Sequence, residues 1–564
     1  MEALDWLVIG VFFLALIGII VWVVRQKQND SADYFLGGRD ATWLAIGASI
    51  FASNIGSEHL IGLAGAGASS GMAMAHWEIQ GWMILILGWV FVPFYTRSMV
   101  YTMPEFLERR YNPQSRTILS VISLVSYVLT KVAVTVYAGG LVFQQVFGIK
   151  ELWGIDFFWI AAIGLVVLTA LYTIFGGMKS VLYTSVLQTP ILLLGSLIIL
   201  VLGFKELGGW DEMMRVCGAV TVNDYGDTMT NLIRSNDDAN FPWLGALIGS
   251  AIIGFWYWCT DQFIVQRVLS GKNEMEARRG TIFGAYLKLL PVFLFLIPGM
   301  IAFALHQKYI GAGGEGFLPM LANGTANADA AFPTLVDKLL PAGVKGLVVC
   351  GILAALMSSL ASLFNSSAML FTIDFYKRFR PETPEKKLVG IGQVATVVIV
   401  ILGILWIPIM RSVGDVLYTY LQDVQSVLAP GIAAAFLLGI CWKRTSAQGG
   451  MWGLIAGMVI GLTRLGAKVY YSNAGEVADS TFKYLFYDMN WLFFCGWMFL
   501  FCIIVVIVVS LATKAPTAEK IQGLVFGTAT KEQKAATRAS WNHWDIIHTV
   551  IILAITGAFY WYFW

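Results

Sequence analysis

The sequence has few charged residues and few cysteines. Asp, Glu, Lys and Arg make up only 13% of the 564 residues, and the 6 cysteines follow no motif spacing. The scarcity of charge argues against a soluble domain, and the scattered cysteines argue against a disulfide framework or a metal site. The net charge of +2 comes without a basic tract, so no nucleic-acid partner is expected. Nucleophile-elbow, phosphate-loop and metal-ligand spacings are also missing, which argues against an enzyme.

Hydrophobic residues are abundant instead, at 58% of the chain, and 14% of residues are aromatic. Apolar runs long enough to cross a bilayer recur about fourteen times, which predicts an all-α polytopic membrane protein embedded in lipid. The predicted spans are 4–25, 43–70, 74–97, 115–147, 156–175, 181–204, 241–268, 277–305, 342–375, 387–410, 414–441, 447–468, 489–513 and 544–563.

The orientation follows from charge at the ends of the first span. Glu2 and Asp5 precede it, whereas Arg25 and Lys27 follow it. Because Lys and Arg favour the cytoplasmic side, the N terminus is predicted outside, and an even number of spans places the C terminus outside too. The lack of long external loops of the eukaryotic, cysteine-bearing type favours a bacterial inner membrane.

A polar run at 53–59 interrupts the second apolar span. Lipid cannot satisfy polar groups, so an interruption at this depth survives only where protein or a water-filled cavity covers it. A small-residue helix that merely packs closely against its neighbours would explain the glycines here. It would not explain Asn54, Glu58 and His59, or Glu78 in the following span. The run therefore predicts a binding site.

Interrupted spans open two groups of about five helices each. The second interruption lies between Gly254 and Asp261. Because an odd number of spans inverts the second group, the pattern predicts two inverted repeats around a midplane site that works by alternating access. The predicted divisions are an extra N-terminal helix and cytoplasmic loop at 1–42, the first repeat at 43–204, an external loop at 205–240, the second repeat at 241–441, and additional C-terminal helices at 442–564.

Several motifs, in order along nearly the whole chain, carry a resemblance to a known family. They are FASNIGSEH at 51–59, YTMPEFLERRY at 101–111, YTIFGGMKSVLYT at 172–184, WYWCTDQFIVQR at 256–267, YLKLLP at 286–291, AALMSSLASLFNSS at 354–367, and YLQ and LAPGIAAAFLLGICWKR within 420–444. The sequence resembles the sodium/solute symporter family, and within it the sodium/glucose cotransporters. This resemblance implies a LeuT-like fold with Na⁺ as the co-transported ion.

The resemblance also implies a Na⁺ site. A hard cation prefers oxygen ligands, and carbonyls and hydroxyls supply them without a charge that would hinder release. Positions 355, 358 and 359 share one face of a helix. Serines in isolation more often bond to carbonyls of their own helix. The implied ligands are the carbonyls of Ala52, Ile55 and Ala355 and the hydroxyls of Ser358 and Ser359.

Some relatives have a second Na⁺ site, built on an aspartate and a threonine. This chain has Ser185 and Ala361 at those positions, so the carboxylate and one hydroxyl that would bind Na⁺ beside Ser362 are missing. One Na⁺ per sugar is therefore predicted.

Ionisable groups inside a membrane are functional candidates by default. The resemblance implies that sugar hydroxyls bond to Asn54, His59, Glu78, Lys288 and Gln422, that Tyr257 stacks on the sugar ring as an inner gate beside Trp258, and that Trp77 is the outer gate. For Glu78 and Lys288, the alternative is a structural buried pair.

Three positions depart from these expectations or add to them. Gly254 stands where relatives carry a polar side chain that contacts the sugar, so one hydroxyl contact is missing or is made through water. Asp261 and Arg267 are expected to form a structural or gating pair. Lys131 has no predicted partner other than a carbonyl or the membrane interface.

The function predicted from the sequence is Na⁺-coupled uptake of a neutral monosaccharide, glucose or galactose. A symporter of the same fold for myo-inositol or another small solute is the first alternative. An anionic solute would favour an arginine clamp, and no arginine lies in the predicted site. A sugar-binding membrane sensor or channel is the second alternative.

Overall fold

The computed structural model describes residues 1–26, 30–56, 58–321, 324–411, 417–473 and 478–564. Within these ranges the chain is helical, apart from one short hairpin and isolated bridges. Eleven of the described helical segments are long and apolar enough to cross a membrane. Large apolar side chains such as Leu14, Val394 and Trp497 are exposed on their outer faces. Such a surface belongs in lipid, so the protein crosses the membrane several times.

The elements have the following bounds. The α-helices are Ala3–Val24, Ser31–Leu36, Trp43–Asn54, Ala64–Ser70, Ala75–Glu78, Gly81–Ile86, Val92–Ser98, Met103–Arg110, Pro113–Ser126, Ala133–Phe147, Phe157–Leu207, Trp210–Gly218, Trp243–Gly254, Gln262–Leu269, Glu274–Lys288, Ile297–Gly311, Ala331–Leu339, Val344–Met369, Lys377–Phe379, Glu385–Arg411, Leu417–Cys441, Ala447–Asn473, Thr481–Lys483, Trp491–Ala512, Ala518–Ile521, Lys531–Ala539 and His543–Tyr562. The π-helices are Glu58–Leu63, Leu87–Phe91, Tyr127–Val132, Phe255–Thr260, Val292–Leu296, Leu370–Tyr376 and Tyr484–Asp488. The 3₁₀ turns are Gly37–Arg39, Gly71–Met74 and Ala328–Ala330, and the strands are Glu151–Leu152 and Ile155–Asp156.

The eleven segments are consistent with about fourteen spans, although that count is not confirmed. Phe157–Leu207 runs for 51 residues, longer than one crossing needs, and Gly177 breaks it at φ 52° and ψ −148°. A side chain at Gly177 would meet the carbonyl of Tyr34. Glu58–Ser98 also has the length of two crossings, at 41 residues, and Trp43–Asn54 is a shorter apolar helix before it.

The segment Val344–Phe379 lies at the centre of the molecule. In its most apolar stretch of 18 residues, 89% of the residues are buried inside the protein. The corresponding share is 22% for each of Ala3–Val24 and His543–Tyr562. It packs along Phe157–Leu207 and also contacts Trp43–Asn54. The cation ligands implied for this segment are therefore shielded from lipid.

Both predicted interruptions are present. Trp43–Asn54 ends at Ile55, which is extended at φ −80° and ψ 104°, and the π-helix Glu58–Leu63 follows. In the second group a π-helix, Phe255–Thr260, ends at Asp261 with φ −77° and ψ 128°. Irregular turns of this kind occur often at functional sites, because they free backbone groups and redirect side chains. The inverted relation between the two groups stays a prediction.

The loop before Ala331–Leu339 carries a half-buried carboxyl. The Oδ1 atom of Asp329 lies 2.5 Å from the place that a Cβ on Gly65 would take. Burial raises the pKa of Asp329 from 3.8 to about 6. Because the folded state holds this proton more tightly than the unfolded chain, the protonated acid contributes stability that is full below pH 3.8 and lost as the pH rises through 6.

Asp329→Asn should therefore stabilise the protein in a pH-dependent way. The amide stays neutral, so its gain in melting temperature over wild type should be larger at about pH 7 than at about pH 4. Thermal unfolding in detergent across this range measures the difference. A gain that does not change with pH would contradict the raised pKa.

Candidate functional site

One cavity brings together all eight of the solute-binding and gate residues predicted from the sequence. Residues at both interruptions and on the helix Leu417–Cys441 contribute to its lining. Its lining consists of Asn54, Glu58, His59, Trp77, Glu78, Gln80, Ile253, Gly254, Tyr257, Trp258, Lys288, Gln422 and Gln425.

Glu78 is the centre of the polar contacts in this cavity. Lys288 Nζ donates to Glu78 Oε2 at 2.6 Å, and His59 Nε2 lies 3.2 Å from the same oxygen. Because an ionised carboxylate only accepts, His59 carries its proton on Nε2. No described residue donates to Glu78 Oε1, which remains able to accept from a solute hydroxyl.

Other polar atoms around the cavity lack a partner within the described ranges. They are His59 Nδ1, Trp77 Nε1, Tyr257 Oη and Gln422 Oε1. Buried polar groups are nearly always hydrogen-bonded, so several free donors and acceptors facing one space indicate a site for a polar ligand. Asn54 Nδ2 lies 3.4 Å from His59 Nε2, but because both nitrogens carry protons in this tautomer, the contact does not use the Asn54 donor.

Aromatic rings enclose these polar groups. Tyr257 packs edge-on against Trp258 with ring centroids 4.9 Å apart, and Lys288 Nζ lies 5.3 Å from the Trp258 ring. Trp77 stacks on Trp491 at 5.5 Å. Sugars bind to such surfaces because aromatic faces pack against ring C–H groups while polar edges bond to hydroxyls.

The free volume of the cavity is about 50 Å³. That is room for a few water molecules, since one water needs about 10–15 Å³ of such space. A ring polyol therefore needs more space than this closed conformation offers. Side chains of the lining must move apart for binding, as expected of a transporter that opens to one side at a time.

Sequence reasoning did not assign three of the polar lining residues to the site, namely Glu58, Gln80 and Gln425. Glu58 belongs to the polar run, but no ion pair or hydrogen bond to it is present in the described part of the chain. Gln80 follows Glu78 by two residues, and Gln425 follows Gln422 by about one helical turn. Its helical spacing from Gln422 could have assigned Gln425 to the site. No sequence pattern distinguished the uncharged Gln80.

The expected ion pair of Asp261 with Arg267 is wrong. Asp261 Oδ2 accepts from Lys131 Nζ at 2.6 Å, and Oδ1 accepts from Tyr127. Six residues of helix separate Asp261 from Arg267, or about 9 Å along the axis. The Arg267 guanidinium lies 5.1 Å from the ring of Phe263 instead. Lys131 thus has a partner that the sequence did not indicate.

Breaking the pair of Lys131 and Asp261 should destabilise the protein. Both side chains are almost fully buried, so Lys131→Met leaves an uncompensated carboxylate at a cost of about 3–5 kcal/mol. The double variant Lys131→Met/Asp261→Asn should recover most of the lost melting temperature. Lys377→Met is the control, because Lys377 pairs with Glu385 at the surface. Equal melting temperatures for both single variants would contradict this assignment.

The implied Na⁺ ligands lie where the first interruption meets the central helix. Ala52, Ile55, Ala355, Ser358 and Ser359 are all buried. A Cβ on Gly56 would lie 3.2 Å from Ser359 Oγ, so the interrupted backbone touches this serine.

Local hydrogen bonding leaves three of these oxygens available, namely the carbonyls of Ala52 and Ile55 and the hydroxyl of Ser359. Within the described chain, no backbone N–H donates to the carbonyls of Ala52 and Ile55. Thr184 and Ser185 bond to carbonyls of their own helix, but Ser359 has no such bond. Free carbonyls beside a free hydroxyl fit a hard cation of low charge.

At the position of the second Na⁺ site of some relatives, the hydroxyl groups of this chain bond to neighbouring protein groups. Ser185 Oγ donates to the carbonyl of Val181 at 2.6 Å and lies 3.3 Å from Ser358 Oγ. Ser53 and Ser362 bond to each other at 2.6 Å. These hydroxyls satisfy one another, and no carboxylate is among them.

Comparisons with known proteins agree with this architecture. The sodium:solute symporter family profile matches residues 34–457. The sodium/myo-inositol cotransporter 2 of Mus musculus is 36% identical over 542 residues, covering 94% of this chain and 80% of that protein. The sodium/glucose cotransporter 4 of Danio rerio is 36% identical over 537 residues, covering 92% and 80%.

A solved structure, the substrate-bound outward-open state of a Na⁺-coupled sialic acid symporter, matches with a TM-score of 0.72 and 21% identity. It covers 92% of this chain and 99% of that one. The likeness shows a shared LeuT-like fold. The chain belongs to the sodium:solute symporter family and is a Na⁺-coupled solute transporter rather than an enzyme.

Proposed function

We propose that this symporter uses the Na⁺ gradient to take up a neutral cyclic polyol, either a monosaccharide such as glucose or galactose or the cyclitol myo-inositol. The observation that carries the proposal is the cavity around Glu78 and Lys288. It combines a mutually neutralising ion pair with amides, free hydrogen-bond acceptors and aromatic faces. Each hydroxyl of a polyol both donates and accepts, so it can use both kinds of group.

The charges of the cavity disfavour an anionic solute. Glu58 and Glu78 both line it, and none of its described lining residues is an arginine. A carboxylate solute would find the one lysine of the lining already paired with Glu78, and no bidentate clamp. Monocarboxylates and sialic acid are therefore poor candidates for this site.

The acceptors of the cavity favour myo-inositol as the second candidate. The Glu78 carboxylate and the Oε1 atom of Gln422 can only accept, so each needs an O–H donor. Every ring carbon of inositol carries a hydroxyl, whereas the ring oxygen of a pyranose cannot donate. Two relatives in mouse and human are named sodium/myo-inositol cotransporter 2, which adds support.

The residues proposed to bind the solute are Asn54, His59, Glu78, Tyr257, Trp258, Lys288 and Gln422, with Trp77 and Tyr257 as gates. The proposed Na⁺ ligands are Ala52, Ile55, Ala355, Ser358 and Ser359. One Na⁺ per solute is proposed, since Ser185 and Ser362 are engaged with neighbouring groups.

One Na⁺ supplies enough free energy for uptake. Its charge gains about 2.3 kcal/mol in a potential of about 100 mV, and a tenfold concentration gradient adds about 1.4 kcal/mol. Together these support accumulation of a neutral solute by about a few hundredfold.

We place the protein in a bacterial inner membrane with both termini outside, and the repeats 43–204 and 241–441 inverted about the site. Tags on both termini should then react with a membrane-impermeant reagent in intact cells. Protection of either tag would contradict this orientation.

Uptake into proteoliposomes tests the proposed solutes. Purified protein should accumulate labelled glucose, galactose or myo-inositol when Na⁺ is higher outside, and K⁺ in place of Na⁺ should abolish uptake. Mutual competition would rank the three solutes. If folded protein accumulates none of them, the proposal fails. Binding without Na⁺-driven accumulation would favour the sensor.

A further inference from the structure

Gly254 and Gln80 occupy one corner of the cavity together. Gly254 ends the helix Trp243–Gly254 and has no side chain to offer a solute. A Cβ at this position would lie 2.9 Å from Cδ and 3.1 Å from Nε2 of Gln80, and closer still to Oε1. The glutamine amide therefore fills the space that any larger residue at position 254 would need.

The orientation of this amide is fixed by a backbone carbonyl. Gln80 Nε2 donates to the carbonyl of Ser250 at 2.8 Å. Because a carbonyl only accepts, the nitrogen must face Ser250, and Oε1 is then the amide atom nearest to Gly254. Gln80 is 3% exposed and lines the cavity. No described residue donates to Oε1.

We propose that Gln80 is a solute-positioning residue, and that Gln80 and Gly254 together determine which ring substituent is accepted in this corner. Oε1 accepts a hydrogen bond from one solute hydroxyl, replacing the contact that a polar side chain at position 254 would make. This inference rests on the proposed function, because it needs a hydroxylated solute in the cavity.

The proposal has a chemical consequence. An oxygen that only accepts requires a donor, so the corner favours a hydroxyl and rejects a hydrogen or an ether oxygen at the matching ring position. A buried acceptor left without a donor costs about 1.5 kcal/mol, which corresponds to about a tenfold loss of affinity. One deoxy analogue should therefore be transported about tenfold less well than its parent.

Uptake of the parent solute and its monodeoxy analogues tests this in proteoliposomes containing the full chain. Gln80→Leu keeps the approximate volume and removes the acceptor. In this variant the parent should lose about tenfold in uptake at low concentration, and the discrimination against one analogue should disappear. The Na⁺ concentration for half-maximal uptake should stay unchanged.

The control is Gln393→Ala. Gln393 Nε2 also donates to a helix carbonyl, that of Ile174 at 3.1 Å, but it lies outside the cavity. This variant should behave as wild type. Gly254→Ala is a second test that keeps Gln80, because the added methyl group displaces the amide. It too should reduce both uptake and discrimination.

The proposal is overturned if folded Gln80→Leu discriminates between the parent solute and its deoxy analogues as wild type does. If Gln80→Leu does not fold, the same result in Gly254→Ala overturns it. That result differs from failure of the proposed function, in which wild type and Gln393→Ala transport no cyclic polyol. A Gly254→Ser/Gln80→Ala double variant should regain discrimination, since the serine hydroxyl then occupies the vacated corner.

Discussion

Lys288→Ala is expected to lower solute uptake by about thirtyfold or more. Lys288 and Glu78 are 4% and 2% exposed, and their contact is 2.6 Å long. Truncating one partner of a buried, hydrogen-bonded charge pair costs about 2 kcal/mol or more. The remaining carboxylate keeps only His59, so its acceptor oxygens are no longer held for the solute. Initial uptake rates at low solute concentration measure the loss.

Lys345→Ala is the matched control. Lys345 Nζ bonds to Asp337 at the same distance of 2.6 Å, but the Asp337 side chain is 62% exposed. Exposed pairs contribute about 0–1 kcal/mol, so transport by this variant should be unchanged. Wild-type uptake by Lys288→Ala would remove the pair from the proposed site.

A neutral double variant separates binding from a structural role for the pair. Glu78→Gln/Lys288→Met removes both charges and keeps the approximate volumes. If the pair binds solute, the double variant should regain melting temperature but not uptake. Recovery of both would mean that the pair only supports the fold.

Ser359→Ala is expected to raise the Na⁺ concentration for half-maximal uptake by about tenfold. The hydroxyl lies beside the interrupted backbone at Gly56. Loss of one oxygen ligand weakens a site built from neutral groups, and about 1.4 kcal/mol corresponds to this factor. Maximal uptake at saturating Na⁺ should change much less.

Ser367→Ala provides the comparison for the cation site. Ser367 lies on the same central helix, is buried, and has no hydrogen-bond partner among the described residues. It lies two turns beyond Ser359, away from the interruption. Equal Na⁺ dependence in both variants would contradict the assignment of Ser359.

The sequence alone locates the main polar features of the site because charge and amide groups stand out in apolar spans. The run at 53–59, Glu78 and Lys288 are visible in this way, and the cavity collects them. Helical spacing also places Ser358 and Ser359 on one face. Recognition of the fold required the order of the motifs along the chain.

Contacts between distant segments could not be predicted in the same way. Lys131 and Asp261 are separated by 130 residues, so no local pattern connects them. Gln80 was missed because a single uncharged amide in the turn between two short apolar helices has no characteristic spacing. Its role becomes visible only when Gly254 packs against it. The small volume of the closed cavity likewise depends on tertiary packing.

Simultaneous measurement of labelled solute and ²²Na⁺ uptake tests the central claim most directly. Proteoliposomes with a clamped membrane potential should take up the two in a one-to-one ratio, and both fluxes should fall together in Lys288→Ala. A two-to-one ratio would contradict the single Na⁺ site. Na⁺ entry that does not depend on any cyclic polyol would contradict the coupling of Na⁺ to this solute at the cavity around Glu78.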